Sequence, residues 1–221
     1  MIPARGGSKS IRKKNIALLM GKPLISYTFL AAKGSRYIDD IILSTDSAEI
    51  IETAKNYGIE VPFVRPAELA EDHSKIIDAV IHAIKALSDL GRVYDVLILL
   101  QPTSPLRTNS DIDVALEKFI KYNEESLVSV SPVADHPILI RSINERGYLQ
   151  KIVNQNSTVR RQDMVDYYRV NGCIYINKIS DINQETSFND NIRAFVMQDS
   201  HSVDIDDMID LEMAEFFLRK S

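Results

Sequence analysis

The sequence predicts an α/β fold, a three-layer sandwich in which helices cover both faces of a mostly parallel sheet. Short apolar runs alternate with amphipathic stretches along most of the 221 residues, the order typical of right-handed βαβ units. The run Val96–Leu100 is apolar at every position, as expected for a central parallel strand covered on both faces. In such folds, ligands bind beyond the carboxyl ends of the strands.

The individual elements follow from apolar periodicity and from capping residues. We predict strands over residues 38–45, 59–64, 96–100, 127–130 and 173–177, and helices over 47–57, 78–90, 110–122 and 209–218. Asp46 or Ser47 is expected to cap the first helix, which ends at Gly58. Asn109 or Ser110 is expected to cap the third.

One segment, residues 134–169, departs from this alternation. It is rich in polar and β-forming residues, shows no helical period and contains Gly147, which we assign to a hairpin turn. We therefore expect an α/β domain formed by residues 1–133 and 170–221, and an inserted β-rich arm, residues 134–169, suited to dimerisation.

The beginning of the chain is short for this fold. Only Met1 and Ile2 precede a loop rich in glycine and basic residues, whereas a strand normally has about 5 residues. We therefore expect a few apolar residues to belong upstream, with Met1 not the natural start.

Composition argues against several classes of protein. A formal net charge of −5 argues against broad nucleic-acid binding, and no apolar run reaches the roughly 20 residues that span a membrane. Cys173 is the only cysteine, which excludes an internal disulfide and a thiolate metal cluster. The four histidines show no pairing at metal-ligand spacing, so no zinc site is expected. A cytoplasmic location is the natural expectation.

The segment Ile2–Asn15 carries the strongest functional signal. Gly6 and Gly7 leave backbone N–H groups accessible close to an arginine and several lysines. Such a loop forms an anion site suited to a triphosphate. The spacing matches neither the P-loop nor the dinucleotide-binding glycine pattern. The alternative interpretation is a basic surface turn.

A second loop, Gln101–Arg107, directly follows the most hydrophobic strand and should face the same crevice. Pro102 and Pro105 stiffen this loop, and Gln101 offers both a donor and an acceptor at the strand tip. The alternative is a rigid turn that contacts no ligand.

Asp204 and Asp206 are two residues apart, so in an extended segment both carboxylates point to the same side. Such a pair suits Mg²⁺, which takes oxygen ligands and keeps waters and substrate phosphate in its other positions. The alternative is an acidic N-terminus for the helix that begins near Asp207, stabilising through the helix dipole.

Basic residues elsewhere are candidates for anion recognition. Arg160, Arg161 and Arg169 lie near the end of the insertion, and arginine is the side chain that grips a carboxylate with two parallel hydrogen bonds. A solvated surface of the arm is the alternative. Arg65 follows a predicted strand, where it can reach a nucleotide or its phosphates.

Together these segments resemble the acylneuraminate cytidylyltransferase family, the CMP-sialic acid or CMP-nonulosonate synthetases, over essentially the whole chain. The family's motifs correspond, in order, to Ile2–Asn15, Arg65–Ala70, Gln101–Arg107, Asn171–Tyr175 and Asp204–Asp206. The resemblance implies a nucleotide-diphospho-sugar transferase-like fold and a nucleotidyltransferase that uses CTP and Mg²⁺. In that reaction the anomeric hydroxyl of a nine-carbon α-keto acid sugar attacks the α-phosphorus of CTP, which gives a CMP-sugar and pyrophosphate.

The resemblance also implies roles for individual residues. The nucleotide would be held by Arg5, Gly6, Ser8, Lys9, Lys14, Asn15 and Arg65, and the metal by Asp204 and Asp206. The sugar would be contacted by Gln101, Arg161, Arg169, Asn171 and Tyr175, with Arg161 the candidate for its carboxylate. Lys14, Arg5 and Asp204 are the catalytic candidates, with Lys14 near the α-phosphate. The family dimerises through an arm that corresponds to residues 134–169, so a homodimer is expected.

Two departures from the family pattern concern specificity. Where sialic-acid-specific relatives tend to carry His-Pro-Leu-Lys, residues 136–139 read His-Pro-Ile-Leu, so methyl surface replaces a cation. This change favours a less polar sugar of legionaminic or pseudaminic type. Residues 73–76 also lack the usual run of Ser and Thr. The alternatives are a 3-deoxy-octulosonate cytidylyltransferase and a catalytically inactive nucleotide-binding homologue.

Overall fold

The structure is a computed structural model that describes residues 1–8, 10–123, 125–155, 157–158 and 160–220, with only the backbone of Arg161. Its strands are β1 Ile2–Pro3, β2 Leu18–Leu19, β3 Lys22–Pro23, β4 Leu43–Ser44, β5 Val96–Leu100, β6 Ser126–Pro132, β7 Arg141–Ile143, β8 Leu149–Lys151, β9 Tyr168–Lys178 and β10 Arg193–Val196. Its α-helices are α1 Leu24–Gly34, α2 Ala48–Asn56, α3 Ile76–Asp89, α4 Asn109–Lys121 and α5 Met208–Leu218.

The central sheet is mixed rather than mostly parallel. The long strand β9 lies between β5 and β6 and is antiparallel to both, while β10 pairs parallel with β6 and β1 pairs parallel with β4. Two hydrogen bonds of Met1, the residue before β1, connect β1 to β5. The amino group of Met1 donates to Ile98 O at 2.7 Å, and Leu100 N donates to Met1 O at 3.1 Å. The apolar run of β5 therefore predicted burial correctly but not the direction of its neighbour, because apolar character does not encode strand direction.

Helices cover both faces of the sheet, which confirms the three layers. Leu97 and Leu99 of β5 pack with Ile77 and Val80 of α3. The alternate residue Leu100 points to the other face, into a core shared with α1, α2 and α4. A smaller apolar cluster lies beneath α5.

Several predicted boundaries need correction. The cap of α4 is Thr108, whose hydroxyl accepts a hydrogen bond from Asp111 N while the Asp111 carboxylate accepts one from Thr108 N. The strand expected over 59–64 is reduced to one bridge between Glu60 and Ile42. Helix α1 and strand β10 were not predicted. No side chain caps the start of α1, which follows Pro23.

The insertion leaves the sheet after β6 and returns at β9. Its hairpin, β7 paired antiparallel with β8, turns at Gly147, whose φ of 80° favours glycine. Tyr168 and Arg169, at the end of the predicted arm, already pair with Pro132 and Ser131 of β6 in the central sheet. Within the described part of the chain, none of the helices has both the length and the apolar character needed to span a bilayer.

Candidate active site

Three loops surround a cleft of about 520 Å³. We call them the basic loop (Arg5–Asn15), the proline loop (Gln101–Arg107) and the acidic loop (Asp204–Asp206). Predicted site residues that line the cleft are Arg5, Ser8, Lys14, Asn15, Arg65, Gln101 and Asp206. Strand topology predicted that the basic and proline loops face one crevice, and both line this cleft; the acidic loop, which only the family resemblance indicated, reaches it through Asp206.

The two glycines of the basic loop have different tasks. The N–H of Gly6 donates to Asp46 Oδ1 at 2.8 Å, so this group is already used within the protein. A Cβ at Gly6 would lie 2.9 Å from the Ser47 Cβ, which explains the need for glycine there. Gly7 lines the cleft, and a Cβ there would meet no atom within 4 Å. Of the pair, only Gly7 presents backbone toward a ligand.

Polar contacts fix the basic side chains of this loop. Arg5 Nη1 bonds to Glu71 O and pairs with Asp72 Oδ1, both at 3.0 Å. Asn15 Nδ2 donates to the backbone oxygen of Arg5 at 2.9 Å, which braces the loop from within. Lys14 reaches the acidic loop, where its Nζ donates to Ile205 O at 2.8 Å. Ser8 lines the cleft, and Lys9 lies outside the described residues.

The backbone of the acidic loop is held on both sides. Ile205 is fully buried, and its N–H donates to Thr103 O of the proline loop at 2.8 Å. The N–H of Asp206 donates to Asp210 Oδ2 at 2.8 Å, and its carbonyl accepts from Ser10 Oγ. The loop is thereby joined to both other loops and to the start of α5.

Asp204 and Asp206 differ in environment. Burial raises the pKa of Asp204, the side chain of Thr103 lowers it, and the nearby Asp206 raises it again. Asp204 Oδ1 is buried and has no hydrogen-bond partner among the described residues. The Asp206 side chain is 82% exposed and lies 3.3 Å from Lys14 Nζ. An orphaned buried carboxylate oxygen next to a second, accessible carboxylate fits a divalent cation.

The N-terminus of the last helix, near which these acids lie, is capped by two other aspartates. Asp207 accepts hydrogen bonds from Ile209 N and Asp210 N, and Asp210 accepts them from Asp206 N and Asp207 N. This capping box satisfies the first turn of α5. Asp204 takes no part in it.

Arg65 is the most deeply buried cation of the cleft that was predicted from the sequence. Its Nε donates to Ser44 Oγ at 3.0 Å and its Nη2 donates to Ser44 O at 2.6 Å. Burial lowers the pKa of this guanidinium, the nearby Asp46 carboxylate raises it, and the positive charge of Arg5 lowers it further. A buried cation without a full counter-charge is an attractive site for an anionic or strongly polar ligand.

The proline loop is anchored to the rest of the domain by its own arginine, Arg107. Arg107 is buried, and it donates to Cys173 O at 2.8 Å, to Thr28 Oγ1 at 2.7 Å and to Gln101 O at 3.2 Å. Desolvation lowers its pKa to about 10. These bonds anchor the proline loop to the strand tip and to α1, and its first residue, Gln101, also lines the cleft.

The residues proposed to contact the sugar differ in how many of their polar atoms already have partners within the protein. Asn171 is buried, and both ends of its amide have protein partners: Oδ1 accepts from Ser129 Oγ at 2.6 Å and Nδ2 donates to Ser202 Oγ at 3.0 Å. Tyr175 donates to Asn189 Oδ1 at 3.0 Å, and burial raises the pKa of its hydroxyl to about 12. Asn171 thus has the partners of a structural residue.

Tyr175 and Asp204 approach each other at Gly172. A Cβ at Gly172 would lie 3.7 Å from Asp204 Oδ2 and 4.0 Å from the Tyr175 hydroxyl. Arg169 is exposed on β9 and is not among the residues that line the cleft. The side chain of Arg161 lies outside the described residues.

Sequence reasoning missed several residues of the cleft. They include Ser10, Leu69, Glu71, Asp72, Lys75 and Thr103. Lys75 immediately precedes α3, and among the described residues no side chain caps that helix. The departure of residues 73–76 from the family's run of Ser and Thr drew attention to this segment, but it indicated no role for the individual side chains.

Comparison with known proteins agrees with this geometry. The cytidylyltransferase family matches residues 1–217. CMP-N,N'-diacetyllegionaminic acid synthase of Legionella pneumophila is 38% identical, with 97% of this chain and 93% of that protein covered. Pseudaminic acid cytidylyltransferase of Campylobacter jejuni is 34% identical over 99% and 95%. N-acylneuraminate cytidylyltransferase of Escherichia coli is also 34% identical, but only 50% of its length is covered.

Solved structures show the same fold at low identity. CMP:2-keto-3-deoxy-manno-octonic acid synthetase complexed with CTP matches with a TM-score of 0.73 and 17% identity, over 99% of this chain and 97% of that chain. 4-diphosphocytidyl-2C-methyl-D-erythritol synthase from Anaerococcus prevotii matches with a TM-score of 0.67 and 12% identity, over 99% and 96%. The match along nearly the full length of the chain, with the motifs in order, shows that the chain belongs to the cytidylyltransferase family, a family of nucleotidyltransferases.

Proposed function

We propose that this enzyme activates a nine-carbon α-keto acid sugar with CTP, forming a CMP-sugar and pyrophosphate. The observation that carries the proposal is the meeting of the basic, proline and acidic loops at one cleft. Nucleotidyl transfer requires charge neutralisation and positioning more than covalent chemistry, and these loops supply both.

On the nucleotide side, Arg5, Ser8 and Lys14 would hold the triphosphate, together with Lys9. Arg5 is partly exposed and pairs with Asp72, so a phosphate oxygen would compete with that carboxylate for the guanidinium. Asn15 keeps the loop in shape, and Arg65 presents a buried positive charge to the nucleotide.

A divalent cation, Mg²⁺ in our proposal, would be held by Asp204 and Asp206 together with phosphate oxygens and water. Bound there, it would neutralise charge that develops on the α-phosphate. The orphaned Oδ1 of Asp204 supports this assignment. Lys14, which touches the same loop, would keep its positive charge next to the α-phosphate.

On the sugar side, Gln101 lines the cleft and is the residue best placed for contact. Tyr175 is buried and bonded to Asn189, so it would act by shaping the site beside Asp204. Arg161 remains our candidate for the sugar carboxylate. Asn171 and Arg169 would act at a distance, Asn171 through the shape of β9. We propose a sugar of legionaminic or pseudaminic type, because Leu139 places methyl groups on an exposed surface of the insertion.

We further propose that the enzyme works as a homodimer in the cytoplasm, with the insertion between β6 and β9 as the contact. Large apolar side chains on this segment are exposed: Leu139, Ile143, Tyr148, Leu149, Ile152 and Val165. An exposed set of this kind is typical of a protein–protein contact.

The test is pyrophosphate release with CTP and Mg²⁺, offering N-acetylneuraminate, legionaminate, pseudaminate and 3-deoxy-octulosonate in parallel. We expect release with a nine-carbon sugar, and faster release with legionaminate or pseudaminate than with N-acetylneuraminate. Release with the eight-carbon sugar alone would replace the proposal with 3-deoxy-octulosonate activation. Binding of CTP without release from any sugar would favour a nucleotide-binding homologue without activity.

A further inference from the structure

We propose that Ser10 is a positioning residue that holds the acidic loop in its metal-binding shape; this rests on the proposed role of that loop. Ser10 belongs to the basic loop and lines the cleft. Its hydroxyl donates to the backbone oxygen of Asp206 across 196 positions of sequence. The bond joins the loop that would hold phosphates to the loop that would hold the metal.

With the Ser10 bond, both backbone polar groups of Asp206, its N–H and its carbonyl, have hydrogen-bond partners. The Asp206 N–H is bonded to Asp210 Oδ2 at 2.8 Å, and Ser10 takes the carbonyl of the same residue. The preceding carbonyl, of Ile205, accepts from Lys14 Nζ at 2.8 Å. Without Ser10, the peptide that follows Asp206 would be held only at its far end, by the N–H of Asp207 bonded to Asp210.

The neighbour of Ser10 keeps the hydroxyl in place. Ile11 is buried in the same apolar cluster as Val203 and Ile205, so the two chain segments are packed together beside the hydrogen bond. Ordering the hydroxyl therefore costs little additional conformational entropy. The geometry points to a preorganised loop in which the direction of the Asp206 carboxylate depends on Ser10.

Lys14 alone does not fix that direction. Its ammonium lies 3.3 Å from Asp206 Oδ1, but it carries three rotatable donors on a flexible stem and has a second acceptor in Ile205 O. A lysine in this position supplies charge, whereas a serine hydroxyl bonded to the backbone fixes geometry. The two residues therefore have separable effects on metal affinity.

The experiment measures binding of Mn²⁺ to the full-length protein with CTP present and no sugar, by electron paramagnetic resonance of free Mn²⁺. We expect Ser10→Ala to raise the dissociation constant of Mn²⁺ about three- to tenfold, the range for one lost hydrogen bond, and Ser10→Thr to restore most of it. CTP affinity in the presence of EDTA should be unchanged in both variants. Ser180→Ala, an exposed serine bonded only to its neighbour Asp181, is the matched control.

Three results would overturn the proposal. Equal Mn²⁺ affinity of wild type and Ser10→Ala would refute the positioning role while leaving the metal site intact. Loss of CTP affinity in EDTA would identify Ser10 as a direct phosphate contact instead. Absence of Mn²⁺ binding by the wild type would refute the metal site itself, and the role of Ser10 with it. Thermal unfolding without metal separates a folding defect from all three.

Discussion

The side chains of the cleft and those of the insertion differ in the contacts they make within the chain. In the cleft, Lys14 and Arg65 bond to other segments of the same chain, and Asn15 bonds within the basic loop. In the insertion, Ile143 and Leu149 face each other across the β7–β8 hairpin with 71% and 69% of their surfaces exposed. The first region is organised by contacts within one chain, whereas the second exposes apolar side chains of the kind found in protein–protein contacts.

This difference separates two sets of tasks. Under the proposed function, nucleotide and metal binding would depend on contacts within the chain, so variants there should change chemistry without changing assembly. Sugar turnover and assembly would depend on the insertion, so variants there should leave CTP binding intact. The predictions that follow test this division, beginning with the largest expected effect.

Asp204→Asn should lower the rate of pyrophosphate release by about a hundred- to a thousandfold, since it would remove the charge of the metal ligand proposed for the reacting phosphate. Steady-state assays with saturating CTP and sugar measure this loss. Asp207→Asn is the matched control, because asparagine caps a helix nearly as well as aspartate. A rate within about threefold of wild type for Asp204→Asn would contradict the metal assignment.

The same variant should be more stable than the wild type at neutral pH. The folded-state pKa of Asp204 is raised by burial, so its charged form destabilises the fold above that pKa. The penalty disappears as pH falls through the raised pKa and the carboxyl becomes neutral. Thermal unfolding without metal should therefore show a higher Tm for Asp204→Asn at pH 7 and a smaller difference at pH 4. A lower Tm at pH 7 would contradict the burial argument.

The double variant Ile143→Asp, Leu149→Asp should convert a dimer into a monomer. The two residues are directly opposite each other in the hairpin. Both introduced charges would therefore be buried at the same place in the dimer contact, which would destabilise the dimer by several kcal/mol. Sedimentation velocity measures the change, and the KM for sugar should rise at least about tenfold while CTP affinity stays within about twofold. Ser142→Asp, Gln150→Asp carries the same charges on the other face of the hairpin and is the control. An unchanged mass in the first variant, or a monomeric wild type, would contradict the role of the insertion.

The sequence was sufficient to predict the layers and the shared crevice of the basic and proline loops, because chain order and apolar periodicity determine which loops follow the carboxyl ends of strands. The acidic loop was indicated by the family resemblance. The sequence was not sufficient for the direction of β9, since its apolar pattern suits a parallel and an antiparallel strand equally. The structural task of Gly6 depends on Ser47, a residue forty-one positions away that no local pattern indicates. The internal partners of Asn171 were hidden for the same reason.

Arg65→Lys should weaken CTP binding about tenfold while leaving the mass of the protein unchanged. Lysine keeps a positive charge but cannot donate to both Ser44 Oγ and Ser44 O in the fixed geometry of a guanidinium, so the buried charge would lose its position. Calorimetric titration of CTP in EDTA measures the loss. Arg36→Lys, at an exposed arginine paired with Asp113 and Glu117, should leave CTP affinity unchanged. If Arg65→Lys bound CTP as tightly as wild type, the cleft would owe its affinity to the basic loop alone, and the burial of Arg65 would serve only to connect β4 with the segment that follows it.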